Sequence, residues 1–368
     1  MRIVIAKKLL STVGGSEAQA RALGTALAAR GHTVTLLGIR PTWRRPGIPE
    51  AVYEAPAGDV ELHEGGLRYV FVASLAAPAE ALLPVSLVPA ARLGRAFAGA
   101  EIIHCLAREW AGPAERAARH IGAAFVETPL AHPGQRFSGD GAADVRRYRR
   151  DDAVLALTEW EAAWYRGRGA PNVHVTGVGP ILGAPIPDLP ADAQSILFVG
   201  RKERYKGYDA LRAAAPLVWQ THPAARFRLI GQRRFRGPGP LTDERWTEPG
   251  VVSETAKAEA YSRSTLFCMP SSHETFGHTY LEAWCAGRPV IAGDIAPLRE
   301  VVREGIDGLH AANEPRAVAA AIRTLLDDPA AAARMGAAGR ARVAERWTWD
   351  RIAERTEAAY VSAMTFLH

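Results

Sequence analysis

The sequence contains little cysteine. Its 368 residues include three cysteines, Cys105, Cys268 and Cys285. These form neither an even disulfide framework nor the Cys-x-x-Cys spacing of a metal site. A reducing compartment fits that usage, and we expect a cytoplasmic protein. Because 48% of the residues are hydrophobic, the chain is long and apolar enough for two domains with separate cores.

Long uninterrupted hydrophobic runs are also missing. The longest weakly charged stretch, residues 70–93, contains a glutamate and three prolines, which would break a helix that crosses a bilayer. The start, Met1 to Ala6, is too short for the apolar core of a signal peptide. We therefore expect no transmembrane segment. The stretch 70–93 is interpreted as a strand followed by a proline-punctuated loop and a helix, with an interfacial role as the alternative.

Two common phosphate-binding motifs are absent. Between predicted strands at 2–6 and 33–37, Gly14 and Gly15 precede a helical pattern, which makes a βαβ unit with a glycine-rich first turn. Adjacent glycines do not match the Gly-x-Gly-x-x-Gly fingerprint, and no P-loop lysine follows. The sequence therefore supports neither an NAD site nor a Walker site. A tight turn that needs positive φ remains the alternative to ligand contact.

Acidic residues are in the minority. The formal net charge is +6 and the isoelectric point is about 9.4, which favours acidic partners such as diphosphates, anionic lipid or nucleic acid. The basic residues are scattered, with the densest run at 146–150. We interpret that run as a solvated helix face. We expect no nucleic-acid partner and do not favour peripheral membrane contact, although the sequence leaves it open.

A metal-binding carboxylate motif is missing as well. No Asp-x-Asp occurs, and the adjacent pairs Asp151-Asp152 and Asp327-Asp328 are expected at a strand start and a helix end. Magnesium in phosphate sites is held by placed carboxylates. We therefore expect a metal-independent activity with no cofactor.

The most informative stretch runs from residue 270 to residue 283. An apolar run at 264–269 predicts a buried strand, and a tight loop then leads into a helix. The helix start offers unpaired amides and the positive end of its dipole, and Gly277 lets an anion approach the backbone. Glu274 and Glu282 bracket that position, and carboxylates accept hydrogen bonds from sugar hydroxyls. An anion between hydroxyl-binding groups is typical of a nucleotide-sugar.

The pattern around these carboxylates matches a known family. Glu274 and Glu282 are separated by seven residues, lie within Ser-x-x-Glu-x-Phe-Gly, and are followed by Ala-Gly-Arg-Pro-Val-Ile. This resembles the Glu-x7-Glu signature of retaining GT-B glycosyltransferases of family GT4. The resemblance implies that Glu274 holds the transferred sugar and Glu282 the ribose. By themselves, two such glutamates could equally be an acidic pair in a solvated helix start.

A second element extends the resemblance. Residues 200–207, which follow a predicted strand at 195–199, are similar to the Gly-Arg-x4-Lys-Gly element of the family, whose arginine and lysine hold the donor diphosphate. Fixed cations would stabilise the charge that the leaving diphosphate gains. A plain basic loop is the alternative. The resemblance assigns donor binding to Gly14, Gly15, Arg201, Lys206, Val252, Glu274, Thr275, Phe276, Gly277, His278 and Glu282, with Val252 beside the nucleotide base.

A histidine follows another predicted strand, at 122–129. Ligands of open α/β sheets lie beyond the carboxyl ends of strands, so His132 is placed to meet a donor or an acceptor. The family often has a histidine near the reacting carbon, and a loop histidine without such a role is the alternative. The catalytic residues implied by the resemblance are His132, Arg201, Lys206 and Glu274.

The resemblance covers essentially the whole chain and implies an α/β protein of the GT-B fold, two doubly wound Rossmann-like domains facing across a cleft. The acceptor-binding domain is expected at 1–180, with a C-terminal helix at 350–368 packing back on it. The donor-binding domain is expected at 190–349. The chain departs from the family pattern at His278 and Trp284, where aliphatic residues are commoner, and at Gln232.

The function implied is metal-independent transfer of a sugar, with retention, from an NDP-sugar to an acceptor hydroxyl. UDP is favoured because it is commonest in the family, and the acceptor is expected to be a small molecule, a glycan or a lipid-linked acceptor. The family mechanism has the leaving phosphate oxygen accept the proton of the acceptor. The alternatives are a GT-B epimerase or phosphorylase, and a non-catalytic nucleotide-sugar-binding subunit.

Overall fold

The computed structural model describes residues 1–11, 14–74, 88, 90–135, 138–233, 239 and 241–366. The chain divides into two compact units. The first comprises Met1–Val178 and Trp349–His368, and the second comprises Gly179–Thr348. The chain thus passes from one unit to the other after Val178 and again after Thr348.

The first unit is built on an eight-stranded sheet. Its strands are β1 (Arg2–Ala6), β2 (Thr33–Ile39), β3 (Val60–Glu64), β4 (Leu67–Val72), β5 (Ile102–Leu106), β6 (Ala124–Thr128), β7 (Ala153–Ala156) and β8 (Val173–Val175). Their spatial order is β3-β4-β2-β1-β5-β6-β7-β8. The edge strand β3 runs antiparallel to β4, and the other neighbours are parallel. Chain direction across the sheet reverses between β1 and β5, which makes this the switch point of a doubly wound sheet.

Helices accompany this sheet. They are α1 (Gly15–Ala29), α2 (Glu50–Glu54), α3 (Ala90–Ala96), α4 (Ala111–Ile121), α5 (Ala142–Tyr148), α6 (Glu159–Arg166) and the C-terminal α13 (Trp349–Thr365). The strands consist of apolar runs because both faces of a parallel sheet are covered. Val4, Leu37, Ile103 and Phe125 share one buried cluster.

A buried histidine of β5 forms a hydrogen bond with the C-terminal helix α13. In β5, His104 Nδ1 lies 2.7 Å from the Tyr360 hydroxyl of α13. The other ring nitrogen, Nε2, lies 2.7 Å from Thr128 Oγ1. Burial lowers the pKa of His104 to about 3, so the ring is neutral and both nitrogens have hydroxyl partners. His104 is therefore a packed, hydrogen-bonded core residue.

The second unit is a six-stranded sheet with helices. Its strands are β9 (Ser195–Val199), β10 (Arg226–Ile230), β11 (Trp246–Gly250), β12 (Leu266–Met269), β13 (Val290–Gly293) and β14 (Gly308–Ala311). Its helices are α7 (Tyr208–Trp219), α8 (Glu254–Arg263), α9 (His278–Cys285), α10 (Ala296–Val301), α11 (Pro315–Asp327) and α12 (Pro329–Arg346). The order β11-β10-β9-β12-β13-β14 is parallel throughout. Its switch point lies between β9 and β12. Two doubly wound α/β units, as expected from the sequence, are therefore present.

Some short elements leave little pattern in the sequence. β8 has three residues and pairs with β7 at the edge of the first sheet. β11 ends at Gly250, and β14 begins at Gly308, directly after a turn. α10 begins at Ala296 with Pro297 in its first turn.

The arginine-rich run is not simply a solvated face. Arg147 is buried and makes a bidentate ion pair with Glu127, at 2.7 and 2.9 Å. Arg150 donates from Nε and Nη2 to the two carboxylate oxygens of Glu115, each at 2.9 Å. Buried carboxylates on neighbouring elements therefore hold two of these guanidinium groups, a pairing between distant residues that charge spacing along the chain does not reveal.

Part of the stretch 70–93, which was predicted to hold a strand, a proline-punctuated loop and a helix, falls outside the described residues. None of the helices within the described ranges combines the length and the apolar composition that crossing a bilayer requires.

Candidate active site

Two loops meet at the switch point of the second unit. Residues 200–207 follow the carboxyl end of β9, and residues 270–277 follow that of β12. The two strands are adjacent and parallel, with Leu197 opposite Phe267. Ligands of doubly wound sheets bind at the switch point, beyond the carboxyl ends of the two strands where the strand order reverses. The two sequence motifs singled out by their spacing thus occupy the position that the fold reserves for a ligand.

A backbone carbonyl joins the two loops. The carbonyl oxygen of Tyr205 accepts hydrogen bonds from the Ser272 amide at 2.7 Å and from Ser271 Oγ at 3.1 Å. From the connection after β14, Asn313 Nδ2 donates to the Arg204 carbonyl at 3.1 Å. Of these residues, sequence reasoning missed Asn313 as part of the site. Polar residues whose partners are carbonyls in other loops leave no local signal.

The expected cations lie in the first loop. Lys206 Nζ forms a short ion pair with Glu274, whose side chain is 10% exposed. Arg201 is exposed and donates from its guanidinium to the Tyr205 hydroxyl at 2.5 Å. Gly207 has φ 82°, and a Cβ there would lie 2.5 Å from Cγ of Pro270. Only glycine therefore allows the two loops to pack as they do.

The start of α9 offers a ligand mainly its backbone. Gly277 caps the helix with φ 89° and ψ 85°, and a Cβ there would lie 2.5 Å from the Tyr280 ring. The side chains of Thr275 and Phe276 are buried, so any ligand contact from these residues comes mainly from main-chain groups. The first amides of a helix have no intrahelical partner and attract anions.

The second carboxylate of the motif is buried. Glu282 accepts a hydrogen bond from the Tyr261 hydroxyl at 2.7 Å and lies 3.9 Å from Lys257 Nζ. Burial raises the pKa of the Glu282 carboxyl, and Lys257 and Tyr261 oppose that effect. Glu274 and Glu282 therefore have different surroundings. Glu274 is held by a cation of the facing loop, whereas Glu282 is held by a phenol within the core.

His278 is fixed in one tautomer. Its Nδ1 lies 2.9 Å from the carbonyl oxygen of Gly179, and because a carbonyl only accepts, Nδ1 carries the hydrogen. Burial lowers the pKa of His278 to about 4. The imidazole is therefore neutral at physiological pH, and Nε2 is an acceptor.

A buried lysine follows Arg201. Lys202 Nζ lies 3.2 Å from Glu248 Oε1, which also accepts from the Tyr208 hydroxyl at 2.6 Å. Burial lowers the pKa of Lys202, while Glu248 raises it. This pair ties the loop after β9 to β11. Val252 lies two residues beyond the end of β11, in the connection to α8.

The remaining expected site residues belong to the first unit. Gly14 caps α1 with φ 125°, and a Cβ there would lie 2.2 Å from Glu17 Oε2. Gly15 is the first residue of that helix. His132 lies beyond β6, where its amide donates to the Ser138 carbonyl at 2.9 Å. Both positions are at the carboxyl ends of strands, as the sequence predicted.

No group of three or more histidine, cysteine, aspartate or glutamate side chains among the described residues is arranged to hold a metal ion. Metal independence stays a prediction.

Two family descriptions match the chain. Residues 14–180 match "Glycosyl transferase 4-like domain", and residues 185–342 match "Glycosyl transferases group 1". The second match contains the two loops of the switch point and both glutamates. The first contains Gly14, Gly15 and His132.

Relatives and a solved structure agree with these matches. A D-inositol 3-phosphate glycosyltransferase from Thermobispora bispora is 34% identical over 197 residues, which is 49% of this chain and 46% of that protein. A glycogen synthase from Mycobacterium tuberculosis is 28% identical and covers 95% of this chain and 92% of its own length. The structure of HepE from Anabaena, in complex with UDP and glucose, superposes with a TM-score of 0.72 at 15% identity and covers 97% of this chain and 98% of that one. At this identity the superposition shows a shared fold.

Proposed function

Because this chain belongs to the GT-B glycosyltransferases that combine a glycosyl transferase 4-like domain with a group 1 domain, and so acts on NDP-sugars, we propose that it is a retaining enzyme of the GT4 type. It transfers a hexose from a UDP-sugar to an acceptor hydroxyl without a metal ion. The observation that carries the proposal is the Lys206–Glu274 ion pair beside the start of α9, at the switch point of the second unit.

The charges of this site suit a diphosphate. Arg201, Lys206 and the amides at the start of α9 supply positive charge in the two loops that meet at this switch point. As the glycosidic bond breaks, negative charge builds up on the leaving diphosphate, and pre-positioned donors stabilise it without reorganisation. Glu274 then orients a sugar hydroxyl while its own charge is balanced by Lys206.

The buried carboxylate suits the ribose. Glu282 lies within α9, and its carboxylate is held in place by Tyr261 and Lys257. A buried charged acceptor binds hydroxyl donors strongly because water does not compete. The UDP preference draws its support from HepE, which was solved with UDP and glucose.

The test has two stages. Thermal unfolding is followed with UDP, GDP, ADP and TDP, and we expect UDP to raise the melting temperature most, since a ligand of the folded state stabilises it by mass action. Transfer from UDP-hexoses is then assayed with an acceptor panel, including inositol phosphate and α-glucans, and the anomeric configuration of the product is read by NMR. A product of inverted configuration would contradict the proposal.

Metal independence has its own test. We expect activity to persist in EDTA, while Arg201→Ala and Lys206→Ala each lower the rate by roughly 10²–10³, the usual effect of removing a donor that stabilises developing charge. Loss of activity in EDTA that Mg²⁺ or Mn²⁺ restores, together with nearly normal rates for both variants, would show that the diphosphate lies elsewhere.

Two other activities share parts of this site. A GT-B epimerase or phosphorylase would use the same fold, and transfer of an isotopically labelled sugar to an acceptor hydroxyl distinguishes a transferase from either. A non-catalytic binding subunit would bind UDP without turnover on any acceptor of the panel.

A further inference from the structure

The residues at the start of α9 also contact both places where the chain crosses between the units. His278 donates to the carbonyl of Gly179 at 2.9 Å, and Gly179 is the first residue of the second unit. Two positions earlier, the Phe276 ring packs edge-on against Trp347, with centroids 5.4 Å apart and an interplanar angle of 88°. Trp347 is the next-to-last residue of the same unit. One tripeptide, 276–278, thus contacts both crossing segments.

Each contact is firmly held. The Phe276 side chain is 2% exposed and that of Trp347 is 7% exposed. Trp347 stacks on Trp284, with centroids 5.9 Å apart and an interplanar angle of 5°, and Trp284 Nε1 donates to the Asp307 carbonyl at 2.8 Å. Close-packed rings transmit a displacement instead of absorbing it. A shift of Phe276 therefore reaches Trp347 directly.

The contact with Gly179 requires a hydrogen-bond donor at position 278. An aliphatic side chain there would have no hydrogen to donate to a carbonyl. Gly277, which separates the two contacts, has the left-handed φ that permits the amides of this segment to face a ligand. The side chains of residues 276 and 278 are thus engaged by the crossing segments while the backbone between them is available to a ligand.

We propose that Phe276 and His278 are positioning residues that link nucleotide binding at the start of α9 to the two segments where the chain crosses between its units. This inference rests on the proposed function, because the ligand is the donor nucleotide. Binding at the amides of 276–278 displaces and restrains the tripeptide, and the hydrogen bond to Gly179 and the ring contact with Trp347 pass that restraint to each crossing segment.

Hydrogen–deuterium exchange of the full chain with and without UDP tests the link. We expect UDP to slow exchange in peptides covering 274–280, 176–182 and 345–351. In His278→Leu the response at 176–182 is lost and that at 345–351 is kept. Phe276→Leu gives the reverse pattern. His278→Asn, whose amide can donate to the same carbonyl, restores the response at 176–182. His222→Leu, which removes a histidine paired with Asp327 in the same unit, serves as the matched control and keeps both responses.

Steady-state kinetics provide a second test of the role proposed for His278. Losing one hydrogen bond that orders the ligand-bound state should raise the donor KM about 2- to 10-fold in His278→Leu, with a smaller change in kcat. His278→Asn should recover most of that loss, which a role in stability alone would not predict.

The outcomes separate the two proposals. Protection by UDP at 274–280 without any change in either crossing segment would overturn the link and leave the proposed function standing. Retained protection at 176–182 in His278→Leu would do the same. Absence of UDP protection anywhere in the chain would overturn the proposed function, and the link with it.

Discussion

At the scale of single residues, the two glutamates of the motif differ in what surrounds them. Glu274 contacts Lys206 across the two loops, whereas Glu282 is buried beside Tyr261. In the proposed donor complex, the first contacts the group whose charge changes during transfer, and the second contacts the ribose, which does not react. Identical side chains therefore have separable contributions to binding and to rate.

Substituting each glutamate tests this separation. We expect Glu274→Ala mainly to lower kcat, because it removes an interaction with the transferred sugar and frees Lys206. Glu282→Gln should mainly raise the donor KM, because the amide keeps the Tyr261 contact in a neutral form. Steady-state kinetics in UDP-sugar measure both parameters. Equal changes in kcat and KM in both variants would contradict the assignment.

At the scale of elements, the position of α9 depends on close packing against α12. A Cβ at Gly339 of α12 would lie 2.0 Å from Cδ1 of Trp284, and one at Gly336 would lie 2.0 Å from the Gly287 carbonyl oxygen. The large ring at 284 is thus accommodated by a glycine on the facing helix. The ring also stacks on Trp347 and is hydrogen-bonded, so it has no room to move aside.

Gly339→Ala should therefore destabilise the protein by about 1–3 kcal/mol, the usual cost of overpacking a core. Gly94→Ala is the matched control, since Gly94 lies in α3 and a Cβ there meets no atom within 4 Å. That variant should gain about 0.5–1 kcal/mol, because alanine is the better helix former. Urea unfolding compares the two variants, and a shift of the same sign in both would contradict the packing argument.

A buried acidic pair connects β6 with the segment before β7. Asp151 and Glu127 are both buried, and Arg147 pairs with Glu127. Burial, and then the Glu127 charge, raise the pKa of Asp151 well above its ordinary value. The folded state therefore holds a proton that the unfolded state has released.

This predicts a pH dependence of stability. Because the folded pKa of Asp151 is raised, its contribution is favourable below the unfolded value of about 4 and is lost as pH rises toward the folded value. Asp151→Asn removes that loss, so its free energy of unfolding should increase relative to the wild type as pH rises above about 4. Urea unfolding at several pH values measures the difference, and parallel curves for the two proteins would contradict it.

At the scale of the whole molecule, the two compact units have separate cores and separate sheets, so unfolding need not be a single step. We expect two calorimetric transitions. UDP at about 100 times its Kd should stabilise the unit that contains residues 179–348 by about 2.7 kcal/mol. Gly339→Ala should lower the transition that UDP raises. If UDP and Gly339→Ala moved different transitions, the nucleotide would be bound by the other unit.

The sequence by itself determined the two doubly wound units and the position of the motifs within them. Buried parallel strands are continuous apolar runs, so β1, β9 and β12 were recognisable from 5-residue patterns or shorter. Glycine and charge spacing marked Gly207, Gly277 and the 274/282 pair, because these requirements are local to one loop or one helix turn. The short strands β8 and β14 were not predicted, because they are recognisable only from their pairing with strands that lie elsewhere along the chain.

Only the tertiary structure decided which residues contact each other. Lys206 pairs with Glu274, and Arg147 is buried against Glu127. His278 donates a hydrogen bond to the Gly179 carbonyl, and Trp284 packs against Gly339. Each of these contacts joins residues from different elements, and each depends on distances of a few ångströms that the order of residues along the chain does not encode. Sequence spacing determines which chemistry a segment can offer. Packing of one element against another determines which charge is neutralised, which ring is fixed and which backbone remains open to a ligand.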